Sequence, residues 1–501
     1  MSVIPSPNPF IHNFLPREDE PPHERALREQ EEARAKAVSD AIDEQIRQDK
    51  VAFKKYQKAI KLLLLGQSES GKSTTIKNFQ LKYAYKEWVQ ERGSWKTVIH
   101  LNLIRSVTTV LEIMDSVMKE QQDRPRPQQR SLSPSRSFQR AAATATFSSS
   151  EETGNLDEPS QDVVYDFSDK HKVLQLRLQP LSRVQRDLEK YLGSAALEPD
   201  QVPTTDNITF PGSEGGIPRR NAEFSVSVNS SWKARLLGKE DSKKSADKKH
   251  AQGLHDATEI LYRCGPDIKQ LWTDDVVQQV LTETEAQLKH SSGFFMDDVD
   301  RIVARDYEPS DQDVVKARLR TVGVQEYHLS IPGSTGHHDW ILYDVGGSRA
   351  SRTIWGSYFD NINSIIFLAP TSCFDQRLAE DSKVNRLEDS LVIWKHICGS
   401  KLLENIQLIL FLNKIDLLKE KLESGVRFDK HIVNYGKHPN DLPSVTAFLK
   451  HQFKTILRNS KIQRVFYCYL TSAADTKAMA TTLATIYDGV IRNALDRAQF
   501  L

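Results

Sequence analysis

The stretch Ile60-Lys61-Leu62-Leu63-Leu64-Leu65-Gly66-Gln67-Ser68-Glu69-Ser70-Gly71-Lys72-Ser73 decides the fold of this chain. Its beginning, Ile60 to Leu65, is a short apolar run of the kind that forms a buried parallel strand. The remainder matches Gly-x-x-x-x-Gly-Lys-Ser, and the residues that follow, Thr74 to Leu81, favour a helix. The glycines let consecutive backbone N–H groups turn inward around phosphates, and the helix adds its positive N-terminal end. The stretch therefore predicts a phosphate loop.

Two residues at the end of this loop have specific chemistry. We expect Lys72 to reach the β- and γ-phosphates of a nucleotide and the Ser73 hydroxyl to ligate Mg²⁺. Loops of this kind bind ATP and GTP alike, so another part of the chain has to select the base. The predicted nucleotide contacts of the loop are Glu69, Ser70, Gly71, Lys72, Ser73 and Thr74.

Base selection is predicted for Asn413-Lys414-Ile415-Asp416, which follows the apolar run Ile406 to Leu412. This position lies at the carboxyl end of a strand, where open α/β sheets bind ligands. The Asp416 carboxylate can accept two hydrogen bonds from the N1–H and exocyclic amine of guanine, whereas adenine has no matching pair of donors. We expect Lys414 over the base, Asn413 against the phosphate loop, and the Ala473 amide near the guanine carbonyl. The sequence thus predicts a guanine nucleotide.

Further apolar runs predict the rest of the sheet. They are Trp340 to Tyr343, Ser364 to Leu368, Ile406 to Leu412 and Val465 to Leu470. Helix-like segments such as Leu387 to Ile397 separate most of them, which favours a β/α order with a mostly parallel sheet.

The long segment between the first strand and Trp340 does not fit this order. Leu101 to Met118 and Asp274 to Asp306 predict helices. Between them, about residues 120–252 are rich in Ser, Arg, Pro and Gln, a composition typical of a disordered insertion. Within that insertion, Lys172 to Leu192 keeps an apolar periodicity that indicates a helix.

Composition narrows the classes of function. The net charge of +1 over 501 residues gives no reason to expect nucleic-acid binding. No apolar run approaches the roughly 20 residues that span a bilayer. The start, Met1-Ser2-Val3, lacks a myristoylation motif, so we expect a cytoplasmic chain without an N-terminal lipid. The cysteines are far apart in sequence and are predicted to be reduced thiols: Cys264, Cys373, Cys398 and Cys468.

Several other motifs add a resemblance to a known family. They are Asp298-Val299-Asp300-Arg301-Ile302, Asp313-Val314-Val315-Lys316-Ala317-Arg318, Asp344-Val345-Gly346-Gly347, Leu378-Ala379-Glu380-Asp381 and Asn385-Arg386. With the phosphate loop and Asn413-Lys414-Ile415-Asp416, they make the chain resemble heterotrimeric G protein alpha subunits over about residues 20–118 and 256–501.

The resemblance implies an α/β fold with a Ras-like P-loop GTPase core, a mostly parallel sheet and an inserted all-helical domain. The core would comprise residues 59–84 and 313–501. The helical domain would comprise residues 85–312 and contain the disordered stretch at about 120–252. Residues 1–58 would form an N-terminal tail and helix.

The resemblance also implies roles for individual residues. Arg318 would stabilise transition-state charge, and Glu69 would pair with this arginine. Thr321 would be the second protein ligand of Mg²⁺, Asp344 would hold the ion through water, and the Gly347 amide would sense the γ-phosphate. The remaining nucleotide contacts implied in this way are Ser291, Val315, Lys316 and Ala317.

Two positions depart from the family pattern. Ser348 stands where the family has the glutamine that orients the attacking water, and a serine side chain is too short for that task. Ser68 replaces a phosphate-loop glycine, so a side chain projects toward the γ-phosphate. Both changes predict that nucleotide binding is kept and GTP hydrolysis is slow. The alternative is that a water or another residue, such as His337 or His338, substitutes for the glutamine.

Three hypotheses follow. The leading one is a signalling switch of the G protein alpha class with Mg²⁺ and GTP or GDP as ligands, which couples a seven-helix receptor to an unknown effector. The second is a GTP-bound interaction module or scaffold with negligible GTPase activity. The third, an ATP-using kinase or ATPase, is disfavoured by Asp416. Hydrolysis rate and nucleotide-dependent binding of a βγ dimer discriminate the first two.

The predicted partners leave alternatives open. The charged stretch from Arg17 to about Lys58 is typical of a helix. Its composition fits a helix that binds βγ and fits equally well a solvated helix without a partner. Ser351, Thr353 and Ile354 replace charged residues that normally help to hold βγ. Amphipathic Ala484 to Leu501 matches the receptor-contacting tail, although a closing helix packed on the sheet explains the same residues. Membrane attachment at the inner face of the plasma membrane would then depend on partners.

Overall fold

The structure is a computed structural model that describes residues 21–123, 165–192, 244–284, 288–319, 321, 323–333, 336–378, 380–460, 462 and 464–498. Its sheet has six strands in the order β2-β3-β1-β4-β5-β6. The strands are β1 (Ile60–Gly66), β2 (Val324–Gly333), β3 (Gly336–Val345), β4 (Ser364–Pro370), β5 (Gln407–Asn413) and β6 (Tyr467–Thr471). The strands β1, β4, β5 and β6 pair in parallel. The predicted α/β fold with a mostly parallel sheet is confirmed.

The strands with continuous apolar sequences lie in the centre of the sheet. Every residue of β1, β4 and β5 is buried, as expected for parallel strands covered by helices on both faces. The edge strand β2 was not predicted from its residues, because apolar Val324, Leu329 and Ile331 are separated by polar side chains. An exposed edge gives a weaker sequence signal than a buried centre.

Helices follow the strands of the sheet region. They are α2 (Lys72–Tyr83), α11 (Arg386–Gly399), α12 (Ile415–Glu423), α13 (Phe428–His431), α14 (Leu442–Asn459) and α15 (Thr476–Ala498). The helix α2 begins directly after Gly71, whose φ of 99° is left-handed and suits glycine. The phosphate loop thus leads from the buried strand β1 into a helix N-terminus, as its sequence predicts.

The helical region comes between α2 and β2. Its helices are α3 (Tyr85–Arg92), α4 (Trp95–Asp123), α5 (Asp169–Leu178), α6 (Pro180–Leu192), α7 (Lys244–Trp272), α8 (Asp275–Glu283), α9 (Val299–Ile302) and α10 (Asp311–Lys316). By length and composition, α4 could cross a membrane, yet 61% of its apolar window is buried. Val98, Leu101, Val107 and Met114 of α4 lie within the helical core. It is therefore the central helix of this core.

Two predictions for the helical region meet different outcomes. The helix predicted at Lys172 to Leu192, inside the insertion at about 120–252, is confirmed as the two helices α5 and α6. Their apolar residues Leu178, Leu181, Val184 and Leu188 join the helical core. Residues 124–164 and 193–243 of that insertion lie outside the described residues. The predicted helix Asp274 to Asp306 was wrong as one element, because α8 ends at Glu283 and Gly293 adopts a left-handed φ of 80°.

The chain divides into two compact units. One comprises residues 1–60 and 331–340, and the other comprises residues 61–330 and 341–501. Within the first unit, the long helix α1 (Pro22–Lys58) meets the β2–β3 hairpin, where Lys55 Nζ lies 3.6 Å from Asp339 Oδ2. All predicted site residues belong to the second unit.

Candidate functional site

The phosphate loop lines a cavity of about 600 Å³. Predicted site residues that line it are Glu69, Ser70, Gly71, Lys72, Ser73, Thr74, Ala317, Arg318, Thr321, Gly347 and Ser348. Ser292 lines it in place of its neighbour Ser291. The predicted residues that do not line it are Ser291, Val315, Lys316, Asn413, Lys414, Asp416 and Ala473. The cavity therefore corresponds to the phosphate half of the predicted site.

Lys72 is held inside the loop by backbone oxygens. Its Nζ donates to Gly66 O at 2.9 Å and to Gln67 O at 2.7 Å. Burial lowers the pKa of Lys72 to about 8, although the nearby Asp344 carboxylate favours the charged form. An ammonium group kept in this position is ready to donate to phosphate oxygens.

Three oxygen-bearing side chains meet beside Lys72. Ser73 Oγ lies 2.5 Å from Asp344 Oδ2 and 2.9 Å from Thr321 Oγ1, and Thr321 Oγ1 lies 3.1 Å from Asp344 Oδ2. Burial raises the pKa of Asp344, which Lys72 opposes. Asp344 Oδ1 is buried and has no hydrogen-bond partner among the described residues. Hard oxygen ligands with an unused carboxylate oxygen fit a hydrated Mg²⁺.

Arg318 forms an ion pair across the loop. Its guanidinium lies 2.7 Å from one Glu69 oxygen, and Arg386 lies 3.6 Å from the other. Burial alone raises the pKa of Glu69, but the two arginines outweigh it and lower this pKa. The non-glycine residues with left-handed backbone among those described are Glu69 and Lys414, with φ of 61° and 62°. Such backbone is common at ligand-binding sites.

The helical region holds the backbone of Arg318 through a residue that the sequence did not single out. Asn102 Oδ1 accepts from the Arg318 amide at 2.7 Å, and Asn102 Nδ2 donates to the Arg318 carbonyl at 2.8 Å. Gly293 packs against both residues, because a Cβ there would lie 2.8 Å from Asn102 Oδ1 and 2.9 Å from Arg318 Cβ. A helical asparagine among apolar residues gives no signal of this role.

The predicted base-binding loops are joined to the phosphate loop by Asn413. Its Nδ2 donates to Ser70 O at 2.7 Å, and its Oδ1 accepts from the Ala473 amide and the Thr471 hydroxyl, each at 3.1 Å. The Ala473 amide, expected near the guanine carbonyl, thus has Asn413 as its acceptor here. Asp416 is exposed in the first turn of α12. The arrangement leaves the Asp416 carboxylate accessible to a ligand.

Residues 346–354, called switch II below, contact the phosphate loop at Gly347. A Cβ at Gly347 would lie 2.3 Å from Gln67 C and 2.4 Å from Ser68 N, so only glycine fits. Ser348 Oγ lies 2.8 Å from Ser351 Oγ. Arg352 is buried and forms a bidentate pair with Asp389, at 3.0 and 2.7 Å.

Comparison with known proteins places these features in one family. The profile described as "G-alpha: G-protein alpha subunit" matches residues 36–490. The chain belongs to the G-protein alpha subunit family.

Relatives in this family differ in how much of the chain they match. The alpha-4 subunit of Mycosarcoma maydis is 28% identical over 560 aligned positions, covering 99% of this chain and 96% of that protein. The alpha-2 subunit of Neurospora crassa is 34% identical over 228 positions, covering 45% of this chain and 62% of that protein. The G(o) subunit alpha of Geodia cydonium is 26% identical over 480 positions, covering 94% of this chain and 98% of that protein. The chain is thus a divergent alpha subunit.

Membership of the alpha subunit family identifies the two regions of the fold. The sheet with its surrounding helices is a Ras-like core, and the helices around α4 belong to the helical domain of the family, while Arg318 lies in the segment that connects α10 to β2. The chain is a guanine-nucleotide-binding signalling transducer, and its family consists of GTPases. The cavity with the phosphate loop lies at the carboxyl end of β1, where this class of sheet binds its ligand.

Proposed function

We propose that this alpha subunit holds GTP with Mg²⁺ and hydrolyses it slowly, so that it signals from a long-lived GTP form. The observation that carries the proposal is the Ser348 side chain. Its Oγ lies 2.8 Å from Ser351 Oγ within switch II. A serine in this contact lacks the reach and the second polar atom with which a glutamine amide orients a water at the γ-phosphate.

Ser68 supports the same proposal from the opposite side. The Gly347 backbone lies so close to Gln67 and Ser68 that a Cβ at Gly347 would overlap them. Ser68 is also among the residues that line the phosphate cavity, and its side chain adds Cβ and Oγ where a glycine has only a hydrogen. It therefore occupies space that a glycine would leave to the attacking water. Arg318, paired with Glu69 at 2.7 Å, remains as the group that stabilises transition-state charge.

The metal would complete the phosphate half of the site. Ser73 and Thr321 would ligate Mg²⁺ directly, and Asp344 would hold it through water. When bound, the ion neutralises charge on the β- and γ-phosphates. The protein residues bind and orient the nucleotide: Lys72 donates to phosphate oxygens, and Asn413 fixes the base loop to the phosphate loop.

Single-turnover hydrolysis of bound GTP tests the proposal. We expect slow hydrolysis by the wild-type protein and a rate about tenfold or more higher for Ser348→Gln, alone or combined with Ser68→Gly. Thr353→Gln is the matched control, because it adds the same amide at an exposed position of switch II. Wild-type hydrolysis as fast as that of an ordinary alpha subunit would refute the proposal.

The second candidate is a GTP-bound interaction module with negligible hydrolysis. Serine replaces the usual glycine at position 68 and the usual glutamine at position 348. The loss of both residues favours this second candidate as well. The two functions differ in whether the GTP form decays. If single-turnover hydrolysis is undetectable and βγ binds equally to the GDP and GTP forms, the chain acts as a scaffold and not as a timed switch.

The proposed partners are a βγ dimer, a seven-helix receptor and an effector. The helix α1 supports βγ docking, since its exposed apolar side chains recur along its length: Leu27, Val38, Ile42, Ile46, Val51 and Phe53. The receptor-binding role of α15 has less support, because Ile486 and Val490 are buried as in a closing helix. We place the protein at the inner face of the plasma membrane through these partners.

Val38→Asp with Ile42→Asp is expected to abolish capture of βγ by the GDP form.

A further inference from the structure

Gln67, the second residue of the phosphate loop, has a side chain that contacts α11. It is 1% exposed and lies outside the set of residues that line the cavity. Its Nε2 donates to Arg386 O at 2.7 Å and also to Asp389 Oδ2. The Gln67 amide therefore joins the phosphate loop to the first turn of α11.

The acceptor of this amide is also the partner of switch II. Asp389 accepts two hydrogen bonds from Arg352, and Arg352 Nε lies 3.4 Å from the Gly347 carbonyl. Arg352 and Asp389 are each 5% exposed. A buried network thus extends from Gln67 through Asp389 and Arg352 to the glycine that lies on the phosphate loop.

Each contact in this network joins one protein group to another. Gly347 packs on the backbone of Gln67 and Ser68. Asp389, which already accepts two hydrogen bonds from Arg352, accepts a third from Gln67. Such contacts are available with either nucleotide, whereas a γ-phosphate can attract switch II only in the GTP form. A hydrogen bond between a buried amide and a charged carboxylate is among the stronger ones in proteins.

We propose that Gln67 is a positioning residue that couples the phosphate loop to switch II through Asp389 and Arg352. The coupling keeps switch II on the phosphate loop in the GDP form as well as in the GTP form. Exchange of GDP for GTP then changes the conformation of switch II less than it would in a protein without Gln67. The inference rests on the guanine nucleotide binding of the proposed function, and it is independent of the hydrolysis rate.

Limited trypsin digestion of the full chain loaded with GDP tests the coupling. Arg352 is buried, so cleavage after it requires switch II to open. Gln67→Met keeps the length of the side chain and removes its donor. We expect the cut after Arg352, identified by mass spectrometry, to be about 10-fold to 100-fold faster in Gln67→Met. Gln67→Ala serves as the second variant if the methionine does not fold.

The matched control is Gln185→Met. That amide also joins two side chains, Glu189 and Thr108, but in the helical domain. It is expected to leave cleavage after Arg352 unchanged. A purely structural role of Gln67 would accelerate cleavage in both domains, whereas the coupling predicts a selective effect on switch II.

A second readout is the fluorescence of Trp355. This residue is 2% exposed, and its indole donates to Gly346 O at 3.0 Å. We expect the signal difference between the GDP form and a form with a non-hydrolysable GTP analogue to be several-fold larger in Gln67→Met than in the wild type.

The route through Asp389 is tested by a double variant. In an Asp389→Asn background, Gln67→Met should add little to the cleavage rate, because the two residues act through one network. Unchanged cleavage in Gln67→Met, or effects of the two substitutions that simply multiply, would overturn the proposal. Fast wild-type hydrolysis would refute slow turnover and leave these GDP-form measurements unaffected.

Discussion

The Ras-like core and the helical domain hold the same site by different means. The core supplies side chains with chemistry of their own, such as Lys72, Ser73 and Asp416. The helical domain supplies Asn102, which binds only the backbone of Arg318, and Gly293, which allows close approach. The difference indicates that the core carries the groups proposed to select the ligand, while the helical domain holds the backbone of the arginine proposed to be catalytic.

The largest effect should come from removing base recognition in the core. Asp416→Ala deletes the carboxylate that is proposed to accept two hydrogen bonds from guanine, each worth roughly 1.5–3 kcal/mol. We expect the preference for GDP over ADP to fall about 100-fold or more. Competition binding with a fluorescent GDP measures it.

The control for this substitution is Asp429→Ala, which removes a carboxylate paired with Arg427 outside the site. An unchanged preference for guanine in Asp416→Ala would show that another group selects the base. Base recognition could then not be assigned to Asp416 of the core.

The next effect concerns the proposed metal ligands of the core. Ser73→Ala removes a hydroxyl that meets both Asp344 and Thr321. We expect the affinity for a non-hydrolysable GTP analogue in Mg²⁺ to fall about 10-fold to 100-fold. The affinity measured in EDTA should change much less. Ser460→Ala, at the end of α14, is the control, and an equal loss with and without Mg²⁺ would contradict the assignment.

Sequence predicted the core far better than the helical domain, for physical reasons. Lys72 and Asp416 follow apolar strands at fixed spacing, so local sequence fixes both their identity and their place in the sheet. Asn102 acts on Arg318, a residue 216 positions later in the chain, and no local pattern encodes that pairing. The role of Gln67 cannot be predicted from the sequence either, since its partner Asp389 is 322 positions away. Tertiary contacts of this kind become visible only in the folded chain.

A smaller effect is expected at the junction of the two regions. Asn102→Ala removes both hydrogen bonds to the Arg318 backbone and leaves its amide and carbonyl without this partner, a loss of about 1–3 kcal/mol. The helical domain should separate more often, so GDP release becomes about tenfold faster. Stopped-flow release of fluorescent GDP measures the rate.

The control for this junction is Ser116→Ala, an exposed position further along the same helix. GDP release at the wild-type rate in Asn102→Ala would show that the Arg318 segment is held by the core alone.

The smallest effect should be confined to the helical domain and to acid pH. Burial, assisted by Lys96, lowers the pKa of His100 to about 4, and its Nε2 lies 3.2 Å from the Ile302 carbonyl. Because the unfolded pKa is about 6.5, the unfolded state binds more protons between these values. Stability is therefore lost as pH falls from about 6.5 to 4, by about 2 kcal/mol at pH 5.

His100→Gln keeps a donor for Ile302 O but cannot be protonated. Hydrogen exchange of α4 should show acid destabilisation in the wild type that is reduced in the variant, with equal exchange at pH 7.5. Equal acid sensitivity in both proteins would assign that loss to other groups and leave His100 as ordinary packing.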